Sequence, residues 1–131
     1  MILVDSSFFI ALVDRKDQWH TAAKSLVPIL VSETILISDL IVAESVTIIG
    51  RRSGGKAGEQ LYHYFMDNCD LVAADEKILK GGMQVFLRFD GTLSVSDSVS
   101  VFIMKKRNID RICSFDSDFD KVEGIVRVHN H

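Results

Sequence analysis

The chain has little that would interrupt it. One proline and eight glycines in 131 residues leave scant material for linkers, and no low-complexity tract or internal repeat appears. It is therefore read as one domain spanning residues 1–131. Only two cysteines are present, Cys69 and Cys113, too far apart for a zinc knuckle and too few for a disulfide scaffold. No apolar run approaches the roughly 18–20 residues that a membrane-spanning helix needs. The first apolar segment has no basic flank and is broken by Asp5 and Asp14, so it does not read as a signal peptide. A cytoplasmic location is the expectation. There is no excess of positive charge either: the formal net charge is −3, which excludes a generic basic nucleic-acid coat protein.

What is present is a core. Nearly half the chain, 47%, is hydrophobic, and 25% is charged, as in an ordinary globular protein. Short apolar runs alternate with helical patterns, which predicts an α/β fold with a parallel sheet. Strands are expected at Ile2–Val4, Thr34–Ile37, Leu71–Ala74, within Ile109–Phe115, and at Ile125–Val128. Ser6 and Ser7 are cap-type residues before a short helix over Phe8–Val13. Asp17 is placed as the cap of a second helix, with Trp19, Ala22, Ala23, Leu26 and Leu30 on its apolar side and Pro28 kinking or closing it. A third helix follows Ser38 or Asp39 and runs to about Arg52. Ser53-Gly54-Gly55 separates it from a fourth over Lys56–Asp67. Asp75 caps a fifth, which Gly81-Gly82 is expected to interrupt. The segment from Val95 fits both alternation and helical spacing. A helix is preferred, because Ser94 or Ser96 can cap it and Lys105-Lys106-Arg107 suit its negative end.

Four acids stand out against this pattern. Asp5 closes the first strand, and Asp116 follows Ile112-Cys113-Ser114-Phe115. Both fall just past the carboxyl ends of strands, the rim where open parallel sheets bind ligands. Asp97 starts a helix that can point to the same rim. Glu44 lies on a helix among Leu40, Ile41, Thr47 and Ile48, which predicts an inward-facing carboxylate. Each acid has an ordinary explanation alone: a cap, a favourable helix-dipole contact, a turn, a structural ion pair. Together they predict one anionic pocket, which a hard cation such as Mg²⁺ or Mn²⁺ would make tolerable.

The segments Val4-Asp5-Ser6-Ser7, Leu40-Ile41-Val42-Ala43-Glu44, Ser96-Asp97-Ser98 and Ser114-Phe115-Asp116-Ser117-Asp118-Phe119-Asp120 resemble, in this order, the motifs of PIN domains. They resemble in particular those of VapC, the toxin half of VapBC toxin–antitoxin pairs. The resemblance covers nearly the whole chain and departs at Ser96, where the family often has Thr. It implies a three-layer sandwich around a parallel sheet and a metal-dependent endoribonuclease. Asp5, Glu44, Asp97 and Asp116 take the family's four acidic positions as catalytic and metal-binding residues, with Asp118 as an outer-shell or substitute ligand. It further implies a homodimer silenced by a VapB-like antitoxin. That partner would lay an apolar segment near the early helices, with Phe8, Phe9 and Trp19 as candidate anchors, and insert a basic side chain among the acids.

Arg51, Arg52 and Lys56 follow the Glu44 helix and are candidate contacts for RNA phosphates. Two other motif matches fail. Asp116-Ser117-Asp118-Phe119-Asp120 opens like a calcium loop, but Lys121 and Arg127 occupy its required Gly and Glu positions. Gly50–Lys56 spells most of a phosphate-binding loop, but Ala57 replaces the final Ser or Thr, and a helix rather than a strand precedes it. Two alternatives remain at this point: a non-catalytic RNA-binding module of the same fold, and a phosphatase using Asp5 as nucleophile, in which Ser7 stands where a second Asp is wanted.

Overall fold

The computed structural model describes residues 1–130. Five short strands form one sheet: β1 (Ile2–Val4), β2 (Ile35–Ser38), β3 (Asp70–Val72), β4 (Arg111–Cys113) and β5 (Val126–Val128). Their order is β3-β2-β1-β4-β5, and every pairing is parallel. Six helices surround it: α1 (Ser6–Val13), α2 (His20–Val31), α3 (Asp39–Ser53), α4 (Gly55–Asn68), α5 (Glu76–Arg88) and α6 (Val95–Arg107). A short 3-10 segment covers Ser117–Lys121. This is the three-layer α/β sandwich expected. A central parallel strand covered on both faces cannot alternate polar and apolar residues, and Ile2, Leu3 and Val4 are accordingly all inaccessible. β1 pairs with β2 through Ile2 and Leu3, and with β4 through Leu3 and Val4. The carboxyl ends of β1 and β4, carrying Asp5 and Ser114, are therefore side by side.

Several boundaries differ from the sequence reading for local reasons. Asp17 does not cap α2. Its Oδ1 accepts the Trp19 amide at 2.8 Å, a side-chain turn that delays the helix to His20. Pro28 does not close α2; it lies exposed inside the helix, which runs on to Val31. The hydrogen bond it removes falls on the solvent side, where water can serve the carbonyl. Gly81 and Gly82 do not interrupt α5. They face α6: a Cβ on Gly81 would enter the Phe102 ring, and one on Gly82 would lie 2.6 Å from Val99 Cγ2. The pair permits the close packing of α5 on α6. Ser38, not Asp39, caps α3, accepting the Ile41 amide at 3.2 Å, while Asp39 Oδ1 takes the Ala74 amide at 2.9 Å. The Val95 segment is helical, capped by Ser94.

Candidate active site

Asp5 sits at the N-cap position of α1, yet its side chain makes no capping hydrogen bond. It is 4% exposed. Its Oδ2 accepts from Ser7 Oγ and Ser114 Oγ, each at 2.9 Å. Each hydroxyl has one proton to give, and both give it to Asp5. Their lone pairs then receive backbone amides: Ser7 Oγ from Phe115 at 3.0 Å, and Ser114 Oγ from Asp116 at 3.0 Å. Arg127 braces this turn by donating to the Ser114 carbonyl at 3.2 Å while pairing with Asp120. Ser6 supports a second acid: its Oγ donates to Glu44 Oε1 at 2.9 Å. The sequence reading treated Ser6 and Ser7 as caps and assigned Ser114 no role. The signal available was a run of hydroxyls flanking an acid at a strand end.

Asp97 lies in the first turn of α6, where its amide donates to Ser94 Oγ at 3.0 Å. Burial, then the neighbouring charges of Asp5, Asp116 and Glu44, push its carboxyl up to about 7. Burial also raises Asp5, against the lowering effect of its two serine hydroxyls, and Glu44 adds to the rise. The four predicted acids thus share one electrostatic neighbourhood. Asp116 caps the 3-10 segment, its Oδ1 accepting the Asp118 amide at 2.9 Å. Asp118 is instead paired with Lys121 at 3.2 Å and is not among the charges that raise Asp97.

One expectation needs correction. Glu44 is exposed, not buried. The inward stripe of α3 is Ile41, Ser45 and Ile49, one position away, so Glu44 stands at the edge of the site and reaches it through Ser6. The predicted basic residues also divide. Arg51 and Lys56 are exposed, whereas Arg52 binds Asp14 and Asp17 at 3.0 and 3.2 Å and fastens the α1–α2 connection. Phe8 and Phe9 are core residues, 2% and 1% exposed, and cannot anchor a partner; Trp19 is at the surface.

Among the described residues, no ion pair reaches Asp5, Glu44, Asp97 or Asp116. No three Asp, Glu, His or Cys side chains among those residues form a ready-made metal cage. The donor set still fits a hard divalent cation. It consists of carboxylate and hydroxyl oxygens with uncompensated negative charge, and Mg²⁺ commonly binds through one or two carboxylates while keeping its waters. Cysteine chemistry does not fit. Burial, with Asp5 nearby, pushes the Cys113 thiol up to about 12, and Cys69 stands at about 11, mainly through burial.

A parallel sheet whose central strand ends gather unpaired carboxylates defines an α/β domain of the acid-centred class. Residues 2–125 match the PIN domain family, and the chain belongs to it. Its structural neighbours include a VapC toxin. VapC20 of Mycobacterium tuberculosis, a toxin that cleaves the sarcin-ricin loop, is 26% identical, with a TM-score of 0.86 and 98% of each chain covered. A chain from a Klebsiella pneumoniae toxin–antitoxin complex shares the fold at 12% identity, with a TM-score of 0.72 and 96% of each chain covered. So does one from Rickettsia felis VapBC2, crystallised on a fragment of its promoter DNA, at 10% identity, with a TM-score of 0.72 and full coverage of both chains. No curated protein matches the sequence.

Proposed function

We propose that this protein is a metal-dependent endoribonuclease and the toxin half of a toxin–antitoxin pair. The observation that carries the reading is the buried Asp5 carboxylate beside the ends of β1 and β4, with Asp97, Glu44 and Asp116 near enough to act on one another's charge and no ion pair to any of them among the described residues. Asp5 and Asp97 would hold Mg²⁺ or Mn²⁺, with Glu44 and Asp116 completing the set directly or through water. When bound at these residues, such an ion would supply Lewis acidity toward a water and a phosphate oxygen. The chain's own contribution is placement. Ser7 and Ser114 fix the Asp5 carboxylate, and Ser6 turns Glu44 toward it. Asp97 brings its charge from a third element, so the pocket exists only in the folded chain. An aspartyl nucleophile is disfavoured, because Asp5 is buried and two hydroxyls already occupy its Oδ2.

A VapB-like antitoxin and a second copy of the chain are the proposed partners. A groove of about 240 Å³ between α1 and α4, with Leu12, Val13, Ala57, Leu61 and Tyr64 on its walls and the buried Phe9 at its floor, offers an apolar seat near the early helices. Leu79, Met83 and Leu87 form an exposed stripe at helical spacing on α5, which supports self-association. The deciding experiment is incubation of the purified protein with total cellular RNA, with and without EDTA, followed by mapping of the new ends. Discrete cuts that vanish with EDTA are expected. Cleavage that survives both EDTA and Asp5→Asn would defeat the proposal.

A further inference from the structure

The chain's one tryptophan, Trp19, lies beside the acidic centre and is 44% exposed. Its indole stacks on Phe115 with centroids 5.4 Å apart and planes inclined by 8°. Phe115 stacks in turn on the buried Phe8, at 6.5 Å and 24°. The three rings form a column from core to surface, and Phe115 covers one face of the Trp19 indole. Phe115 stands between Ser114 and Asp116, and its amide donates to Ser7 Oγ, the hydroxyl that donates to Asp5. Column and acidic pocket thus share one foundation.

The backbone beneath the indole is also fixed. The Trp19 amide donates to Asp17 Oδ1, its carbonyl accepts the Ala23 amide, and Arg52 clamps Asp14 and Asp17. The ring is held ready, with its ordering cost already met in the free protein. A flat π face fixed one residue from Asp116 suits a ligand that is itself flat and tethered to a phosphate. A peptide side chain would want apolar walls, but the apolar groove of α1 and α4 does not include Trp19.

We propose that Trp19 is a stacking platform for an unpaired base of the RNA whose phosphate is presented to the acidic centre. This rests on the ribonuclease reading and adds substrate form to it: the RNA must be single-stranded or looped there, because a base within a duplex has no free face.

The lone tryptophan reports on its own role. The Asp5→Asn protein in Mg²⁺ keeps an oligoribonucleotide intact, and binding is followed by tryptophan fluorescence and by anisotropy of a labelled strand. An unpaired oligonucleotide is expected to quench Trp19, and the same sequence in a duplex is not. Adding Trp19→Ala should weaken binding about tenfold, whereas Trp19→Phe should keep most of it. Thermal melts check that both variants remain folded. Normal affinity in Trp19→Ala, or binding without quenching, overturns the platform while EDTA-sensitive cleavage leaves the ribonuclease standing. Quenching by unpaired RNA in a protein that never cleaves does the reverse. A response of Trp19 to an antitoxin peptide but to no RNA assigns the ring to a protein partner and also overturns the proposal.

Discussion

Replacing Asp97 by Asn should make the metal-free protein more stable and abolish cleavage in the presence of Mg²⁺. Burial and three neighbouring carboxylates move the Asp97 carboxyl from an ordinary 3.8 to about 7. The fold therefore prefers the neutral acid. The contribution of this group to stability is complete below pH 3.8 and is lost as pH rises through about 7. A displacement of this size is worth at most about 4 kcal/mol at pH 8. Asp97 is partly exposed, so solvent screening reduces the figure to about 2 kcal/mol. Asn also forfeits the favourable contact of a charge with the α6 N-terminus, about 0.3–1 kcal/mol. The net gain is about 1–2 kcal/mol, a rise of about 5 °C in melting temperature for a chain of this length. Urea unfolding in EDTA at pH 8 and pH 4 tests it. Asp97→Asn should exceed wild type at pH 8 and lose that advantage at pH 4, where the wild-type carboxyl is already neutral. Excess Mg²⁺ at pH 8 should close the gap by stabilising only the wild type. A variant less stable than wild type at pH 8, or a gain independent of pH, would refute the idea that these acids repel one another.

Other substitutions separate support from chemistry. Asp5→Asn should keep the fold, since an amide oxygen can still accept from Ser7 and Ser114, yet lose most RNA cleavage; gel assays beside thermal melts check this. Ser114→Ala removes a hydroxyl bond to a buried carboxylate and should cost about 1.5–3 kcal/mol at pH 8, read by urea unfolding, with cleavage reduced as Asp5 loses its orientation. Gly82→Ala drives a methyl against Val99 and should cost about 1–3 kcal/mol without altering metal binding, as calorimetry would show. Arg52→Ala should loosen the α1–α2 connection, detectable as faster amide exchange at Trp19 and His20, while leaving divalent-ion affinity unchanged.

Apolar content and spacing made much of the architecture readable. The fully apolar run Ile2-Leu3-Val4 read as a first strand, and alternation with helical segments implied a parallel sheet. The cap at Asp75 followed from local chemistry, and the choices left open between Ser38 and Asp39 and between Ser94 and Ser96 fell to Ser38 and Ser94, each cap serving an amide three residues away. The errors came where distant groups overruled local rules. Gly81-Gly82 looks like a break until Phe102 and Val99 of another helix fill the space above it. Glu44 looks buried from its apolar neighbours, but helix rotation is set by what α3 packs against, and that turned Ile41, Ser45 and Ile49 inward instead. Asp17 looks like a helix cap, yet its side chain holds the Trp19 amide and meets Arg52 from 35 residues away.

The sequence by itself determined the helices and strands, the parallel sheet and the position of Asp5 and Asp116 just past strand ends, because periodicity and capping act within a few residues. Tertiary structure alone decided what the four acids experience. The charges that raise Asp97 come from three other segments, and of the two hydroxyls that hold Asp5, that of Ser114 comes from the end of β4, 109 residues away. Coulomb repulsion and hydrogen bonding depend on separation in space, and only the packed sheet sets that separation.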